Sequence, residues 1–347
     1  SSDFARRIFE QIKGFGEYGF PESHAYSFAL IAYESAWLKC HEPEAFLAAL
    51  LNSQPMGFYG PSQLIQDAQR HGVAVRPPDA TVSHWDCALE PLSLSGSDHH
   101  FSAQRPAVRL GLRLIKGLNP AAAQRIAQAR AQAPFADVAD LARRAALTLR
   151  ETNLLAAADA LGALAGHRRQ QVWQAAAQQA APALLQDAPI DEAALPLAAA
   201  GEGEEIVHDY AALTFSLRRH PLALLRARLA RRGLQSAAQL DQRPHGAQVR
   251  ACGLVTVRQQ PGTAKGTIFV TLEDETGPVN VIVWQSLHAQ PAQRQALLNA
   301  RLLAVHGRWQ RDPASDGHTR HLIAEGLRDF TSLLGALRAQ VESRDFH

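Results

Sequence analysis

Two parts of this 347-residue chain carry residues able to hold a phosphate chain. The first is the stretch IKGLNPAAAQRIAQAR, where Lys116, Gly117, Leu118 and Asn119 stand before Pro120 and an alanine-rich helix. In a tight Gly-hydrophobic-Gly turn, backbone N–H groups at a helix N-terminus meet phosphate oxygens without reading base sequence. Gly117 and Leu118 fit that pattern. Asn119 replaces the second glycine, and Pro120 brings no N–H. The same letters also write an ordinary helix start, with Asn as cap and Pro as first helical residue. A second unit of similar layout follows: DVADLARRA, the turn ALTLR, then ETNLLAAADALGAL. The tandem arrangement favours a backbone clamp, weakened at Asn119 and Pro120 and shared between Lys116 and the second unit.

The second part lies after Gly246. Arg258 and Lys265 flank a loop, Phe269 and Trp284 lie on neighbouring strand candidates, and Arg308, Trp309 and Arg311 lie on another. Aromatics that stack bases, with cations that follow the backbone, are the chemistry of single-strand binding. Alternation along VNVIVW puts Asn280, Ile282 and Trp284 on one face and Val279, Val281 and Val283 on the other. Both faces are apolar, so the pattern leaves open which one joins the core. Between Arg218 and Arg232 six arginines occur with no acid. A solvated helix face and a phosphate-contacting face are the two readings of such a run.

These residues need elements to hold them. Residues 3–52 read as helices, with Ser23 as the cap of one carrying Phe28, Ile31, Trp37 and Leu38, and Pro43 opening the next. A helix over 64–71 follows, then an irregular stretch, and a short alternating strand from Ala107. Residues 121–165 are helical, with breaks near Pro134 and over 147–149. Residues 174–205 are low in complexity and interrupted by prolines, as in a linker. After Gly246 the period changes to two. Five strand candidates, with a helix over 287–298 between the third and fourth, give the order of a five-stranded Greek-key barrel of the OB type.

The fold class expected is therefore mixed and multidomain, mainly α and then an all-β barrel. The formal net charge of +2 and hydrophobic content of 46% allow sizeable cores and exclude a uniformly basic chain. Lysine occurs only at Lys13, Lys39, Lys116 and Lys265. Cys40, Cys87 and Cys252 have no metal-ligand spacing, which predicts a reduced, cytoplasmic protein. Neither a membrane-length apolar run nor a signal peptide is present, and the opening residues read as mid-helix, the start of a fragment. P-loop, GxSxG and Cys/His metal motifs are missing, and the acids at 273–275 fall at a hairpin turn. Neither catalytic residues nor a metal site is expected in this chain.

The stretch FGEYGFPESHAYSFALIAYESAWLKCHEPEAFLAALLNSQPMGFYGPSQ strongly resembles the fingers region of bacterial C-family DNA polymerases. The PESHA sequence, the NSQPMGFYGP run, QPGTAKGTIFVTLEDETGPVNVIVW and the terminal SRDFH resemble its error-prone, damage-induced ImuC branch. The resemblance covers essentially the whole chain, in order. It implies a C-terminal portion of such a polymerase: fingers end (1–104), tandem helix-hairpin-helix (105–166), linker (167–205), basic helical connector (206–245), OB-fold (246–330) and tail (331–347). The palm, with its catalytic aspartates and Mg2+, would lie upstream, leaving this part non-catalytic. By the same resemblance Tyr18, Gly19, Phe20, Ser23 and His24 line the cleft near the nascent base pair. The 116–119 turn grips duplex backbone, and the barrel meets single-stranded template. Replicative relatives carry a clamp-binding peptide where this chain has only PALLQDAPID. That departure implies indirect contact with the sliding clamp, through an ImuB-type accessory protein. A different reading makes the chain a protein-interaction scaffold that docks to ImuB with little DNA contact.

Overall fold

A computed structural model describes residues 6–7, 9, 22–56, 59–91, 105–178, 195–315, 319–341 and 343–346. Contacts divide the chain into two units. One comprises Ser1–Arg76 with Asp86–Gly111, the other Pro77–Trp85 with Leu112–His347.

In the first unit, helix α1 (Glu22–His41) precedes α2 (Pro43–Asn52) and α3 (Pro61–Arg70). Pro43 and Pro61 each open their helix, where the missing N–H costs nothing. Ser23 lies inside α1, one residue past its first, and is not its cap. Leu47 and Leu51 of α2 and Ile65 of α3 are buried. A three-stranded sheet joins β1 (Val75–Arg76), β2 (Ala88–Glu90) and β3 (Ala107–Arg109), with β3 in the middle. The alternation expected from Ala107 thus forms a strand, but it belongs with the first unit rather than with the hairpins. Arg76 and Arg109 both bond Glu90 across this sheet, at 2.6 and 2.9 Å.

The second unit begins its helical part with α4 (Pro120–Gln132), α5 (Val138–Arg144), α6 (Leu149–Ala157), α7 (Gly162–Ala165) and α8 (Arg168–Ala176). Helix α8 lies where a linker was expected to begin. It is instead packed, with Arg168, Gln171 and Ala175 buried. The Gln171 side chain accepts from the Leu161 N–H at 3.1 Å and donates to Asp159 at 2.6 Å. Next come α9 (Glu202–Leu213), α10 (Pro221–Ala230) and α11 (Ala237–Asp241). The acids of α9 receive the basic run. Arg168 bonds Asp209, Arg219 bonds Glu202, and Arg218 reaches Asp159 at 2.8 Å and Glu205 at 3.2 Å. Arg226 pairs with Asp274 and Glu275 on the barrel. Half of the 218–232 arginines are therefore ion-paired, Arg218 and Arg219 while still exposed and Arg226 partly buried; Arg228, Arg231 and Arg232 are exposed and form no ion pair with a described residue.

The barrel contains β4 (Gln248–Gln259), β5 (Ile268–Asp274), β6 (Gly277–Val283), β7 (Leu302–Arg311) and β8 (Arg320–Asp329). Helices α12 (Gln285–His288) and α13 (Pro291–Asn299) lie between β6 and β7. Strand order is β5-β6-β8-β7-β4, closed by β4–β5 pairing, with β6 and β8 parallel. This is the five-stranded OB arrangement. Val270, Leu272, Val279, Val281, Val283 and Trp309 lie in its core. The described residues after Phe330, 331–341 and 343–346, are part of the fold. Leu334, Leu337 and Val341 are buried with Leu229 and Leu302, and β9 (Arg344–Phe346) pairs with β4.

Candidate nucleic-acid interface

The first hairpin turn is built by a left-handed glycine. Gly117 has φ of 83°, a conformation strained for side chains other than glycine's. Leu118 is buried and its N–H donates to Ile115 O, so it anchors the hairpin. Asn119 is extended, with φ −105° and ψ 156°, and its Oδ1 accepts from the Ala122 N–H at 2.8 Å. It is therefore a plain N-cap, and the helix-start reading of this residue is correct. The turn remains open to an anion. The amides of Gly117, Asn119 and Ala121 donate to no residue among those described. The Lys116 N–H, by contrast, donates to Ala212 O at 2.9 Å, fixing the turn on α9. The Lys116 side chain is exposed. Arg150, from the start of α6, brings its guanidinium to 3.9 Å from where a Cβ on Gly117 would stand. Arg150 was not among the sequence candidates, because only the packing of α6 beside the first turn brings it there.

The second turn repeats the backbone and closes it. Ala146 takes the left-handed place, with φ 46°, and Thr148 caps α6. The Ala146 and Leu147 amides donate to Arg143 O and Ala142 O. The Thr148 N–H donates to Glu151 at 2.8 Å, and the Glu151 N–H returns a bond to the Thr148 hydroxyl. This capping box holds a carboxylate where a phosphate would have to sit. Glu151 also accepts two bonds from Arg125, at 2.9 and 3.0 Å, and one from Asn119 Nδ2 at 3.2 Å. Burial pushes its carboxyl up, but the Thr148 N–H, Arg125 and the Thr148 hydroxyl together hold it below the ordinary glutamate value. The shared grip expected of the second unit is thus blocked by its own acid. The Thr-x-x-Glu spacing is the sequence signal for this.

On the barrel, alternation resolves the two faces. Trp284 follows β6 as the N-cap residue of α12 and is 50% exposed, outside the core. It lines a shallow cleft of about 550 Å3 with Thr263, Lys265 and Gln285. Lys265 has φ 49° and an exposed side chain. Outward neighbours continue this edge across the sheet: Phe269 lies opposite Ile282, Ile282 opposite Ile323, and Ile323 opposite Arg308. Arg308 is exposed, so the aromatic end of the row is completed by a cation at the other.

Three barrel candidates prove structural. Arg258 is only 7% exposed. Its guanidinium donates to Leu297 O at 2.7 Å, to Ala300 O, and to the Ser343 hydroxyl, tying β4 to the end of α13 and the C-terminal segment. Arg311 donates to Asp241 O and, at 3.1 Å, to Arg243 O, fastening β7 to the loop after α11. Trp309 is core, 3% exposed. In each case a charge or ring that reads as a contact residue is consumed by the fold. Among the fingers candidates, Tyr18, Gly19 and Phe20 lie outside the described residues. His24 is exposed on α1, its ring 4.4 Å from that of Phe28.

Among the described residues no group of three His, Cys, Asp or Glu side chains could hold a metal ion. The acids at 273–275 are occupied. Asp274 accepts the Ala237 N–H and Arg226, Glu275 pairs with Arg226, and Glu273 lies 3.4 Å from His220. Cys87 and Cys252 are buried, and burial pushes the Cys252 thiol up to about 12. Among the described residues no helix is long and apolar enough to cross a membrane.

Residues 72–171 match the helix-hairpin-helix motif family, and residues 249–329 match the OB-fold nucleic acid binding domain family. Along its full length the chain is 60% identical to an error-prone DNA polymerase of Azoarcus sp., of which it covers 31%. It is 56% identical to that of Bordetella parapertussis over 100% of this chain and 32% of the relative. A third relative, from Alkalilimnicola ehrlichii, is 54% identical over 99% of this chain and 32% of its own length. The chain spans about a third of the curated relatives it matches. Helical hairpins followed by an OB barrel, in a chain that matches such relatives from end to end, fit a C-terminal portion of a bacterial error-prone DNA polymerase.

Proposed function

We propose that this chain is the nucleic-acid-holding region of a polymerase that extends DNA across damage during induced mutagenesis. The first hairpin turn takes duplex backbone, and the Trp284–Lys265 edge takes single-stranded template. The observation that carries this reading is the first turn: free amides, a helix N-terminus and two cations, Lys116 and Arg150, converge on one point. Polymerisation belongs to the whole protein. Its Mg2+ would be held by carboxylates outside this chain, since the acids at 273–275 are already paired. The chain alone then binds DNA without extending a primer, in the cytoplasm and on the nucleoid. Recruitment would run through an ImuB-type accessory protein, with the sliding clamp reached only indirectly, because PALLQDAPID lacks the aromatic end of a clamp peptide.

Fluorescence anisotropy with labelled dT oligonucleotides and with a primed duplex tests the reading. Trp284→Ala should weaken dT binding by about 1–3 kcal/mol, the contribution of one stacked base, and leave duplex binding unchanged. A wild-type chain that binds neither DNA, yet still co-purifies with the accessory protein, would make it a docking scaffold instead.

A further inference from the structure

The outer surface of the barrel does not end at Arg308. Strand alternation puts Gln248 and Arg250 of β4 on the same side as His306 and Arg308 of β7. The register sets Arg308 opposite Gln248 and Arg250 opposite His306. On β8, Gly326 lies opposite His306 and Arg328 opposite Ala304. A bulge at His306/Gly307 and the absence of a side chain at Gly326 make room here: a Cβ on Gly326 would stand 1.9 Å from the His306 ring. Past this row, Arg232 closes the far side, its guanidinium 5.6 Å from the Phe330 ring centre. Arg232, Arg250 and Arg328 rim a concavity of about 710 Å3 with His306, over Leu327 and Phe330.

The charges here are left uncompensated. All three arginines are exposed, and none forms an ion pair with a described residue. Arg218, Arg219 and Arg226, from the same basic run as Arg232, are each neutralised by acids. A nearby acid, Glu325, is bonded to Gln248 at 3.3 Å rather than to an arginine. Three guanidiniums around one hollow repel each other until an anion enters, and their forked donors match phosphate oxygens. The aromatic face that would stack a base is covered, because Arg232 lies over Phe330.

We infer that this concavity is a second, base-blind contact for a single strand, continuing the path from Trp284 past Arg308. The inference rests on the nucleic-acid reading above and adds where the strand goes next. The full chain is titrated across a salt series with labelled dT20 and with an abasic oligomer of equal length. For single strands the slope of log K against log salt is about 0.7 per phosphate neutralised. Replacing Arg232, Arg250 and Arg328 together by Gln should lower that slope by about 2 for both ligands. The triple Lys variant should keep the wild-type slope, since charge rather than packing is at issue. Trp284→Ala should weaken dT20 but not the abasic oligomer. An unchanged slope in the Gln variant overturns the inference while the Trp284 edge stands. Loss of polyglutamate binding with an unchanged DNA slope also overturns it, assigning the hollow to an acidic protein. Failure of the wild-type chain to bind either oligomer would instead overturn the nucleic-acid reading itself.

Discussion

The two hairpin turns share a backbone and differ in charge. Each has a left-handed residue (Gly117, Ala146), a leucine, and a side-chain cap (Asn119, Thr148). In the first, two of the three turn amides are free and two cations stand by. In the second, all three amides have partners, and Glu151 places a carboxylate on the helix N-terminus. A helix N-terminus attracts anions of either kind, so an internal one excludes an external one. The second unit is therefore a buttress. Its acid holds Asn119 and Arg125 of the first, and its Arg150 stands beside the open turn.

The comparison is most exposed to change at Glu151. Glu151→Ala should destabilise the chain by about 3 kcal/mol in urea unfolding, because it strands Arg125 and removes a cap. The carboxyl is held below its ordinary value of 4.5. Its stabilisation is thus present above that value and lost as pH falls through the lower, folded value. In Glu151→Gln that part of the acid dependence should vanish; an unaltered profile would mean that the carboxylate is not buttressing anything.

A smaller effect separates the turns by ligand. Lys116→Gln with Arg150→Gln should reduce the salt slope of duplex binding by about 1.8, at about 0.9 per phosphate. Arg143→Gln beside the second turn, already paired with Asp140, should leave it alone. Equal losses at both turns would abolish the distinction drawn between them.

The smallest effect tests the shared backbone. Ala146 has a positive φ, so Ala146→Gly should stabilise by up to about 1 kcal/mol without altering DNA affinity. Gly117→Ala should cost about 1–2 kcal/mol through the backbone alone, since the nearest atom to its Cβ lies at 3.8 Å. Opposite signs in thermal unfolding would be the check.

The sequence by itself determined the barrel, because a period of two and a helix between the third and fourth strands leave few alternatives. It also determined the tandem hairpins, since turn residues, prolines and caps act locally. It misplaced the linker: α8 carries few apolar residues and is held by buried polar ones, Gln171 bonded to the turn before it and Arg168 bonded to Asp209, which is remote in sequence. Of the candidate site residues, Lys116, Gly117, Lys265 and Arg308 stand exposed as read, and the structure places Trp284 outside the core where alternation left its face open. Arg258, Trp309 and Arg311 were not legible as structural ones, and Arg150, Arg250 and Arg328 were not legible at all. Only the tertiary structure decided which arginines were free. A guanidinium's role is set by the nearest carboxylate or carbonyl in space, and those lie as far along the chain as Asp241 is from Arg311 and Arg320.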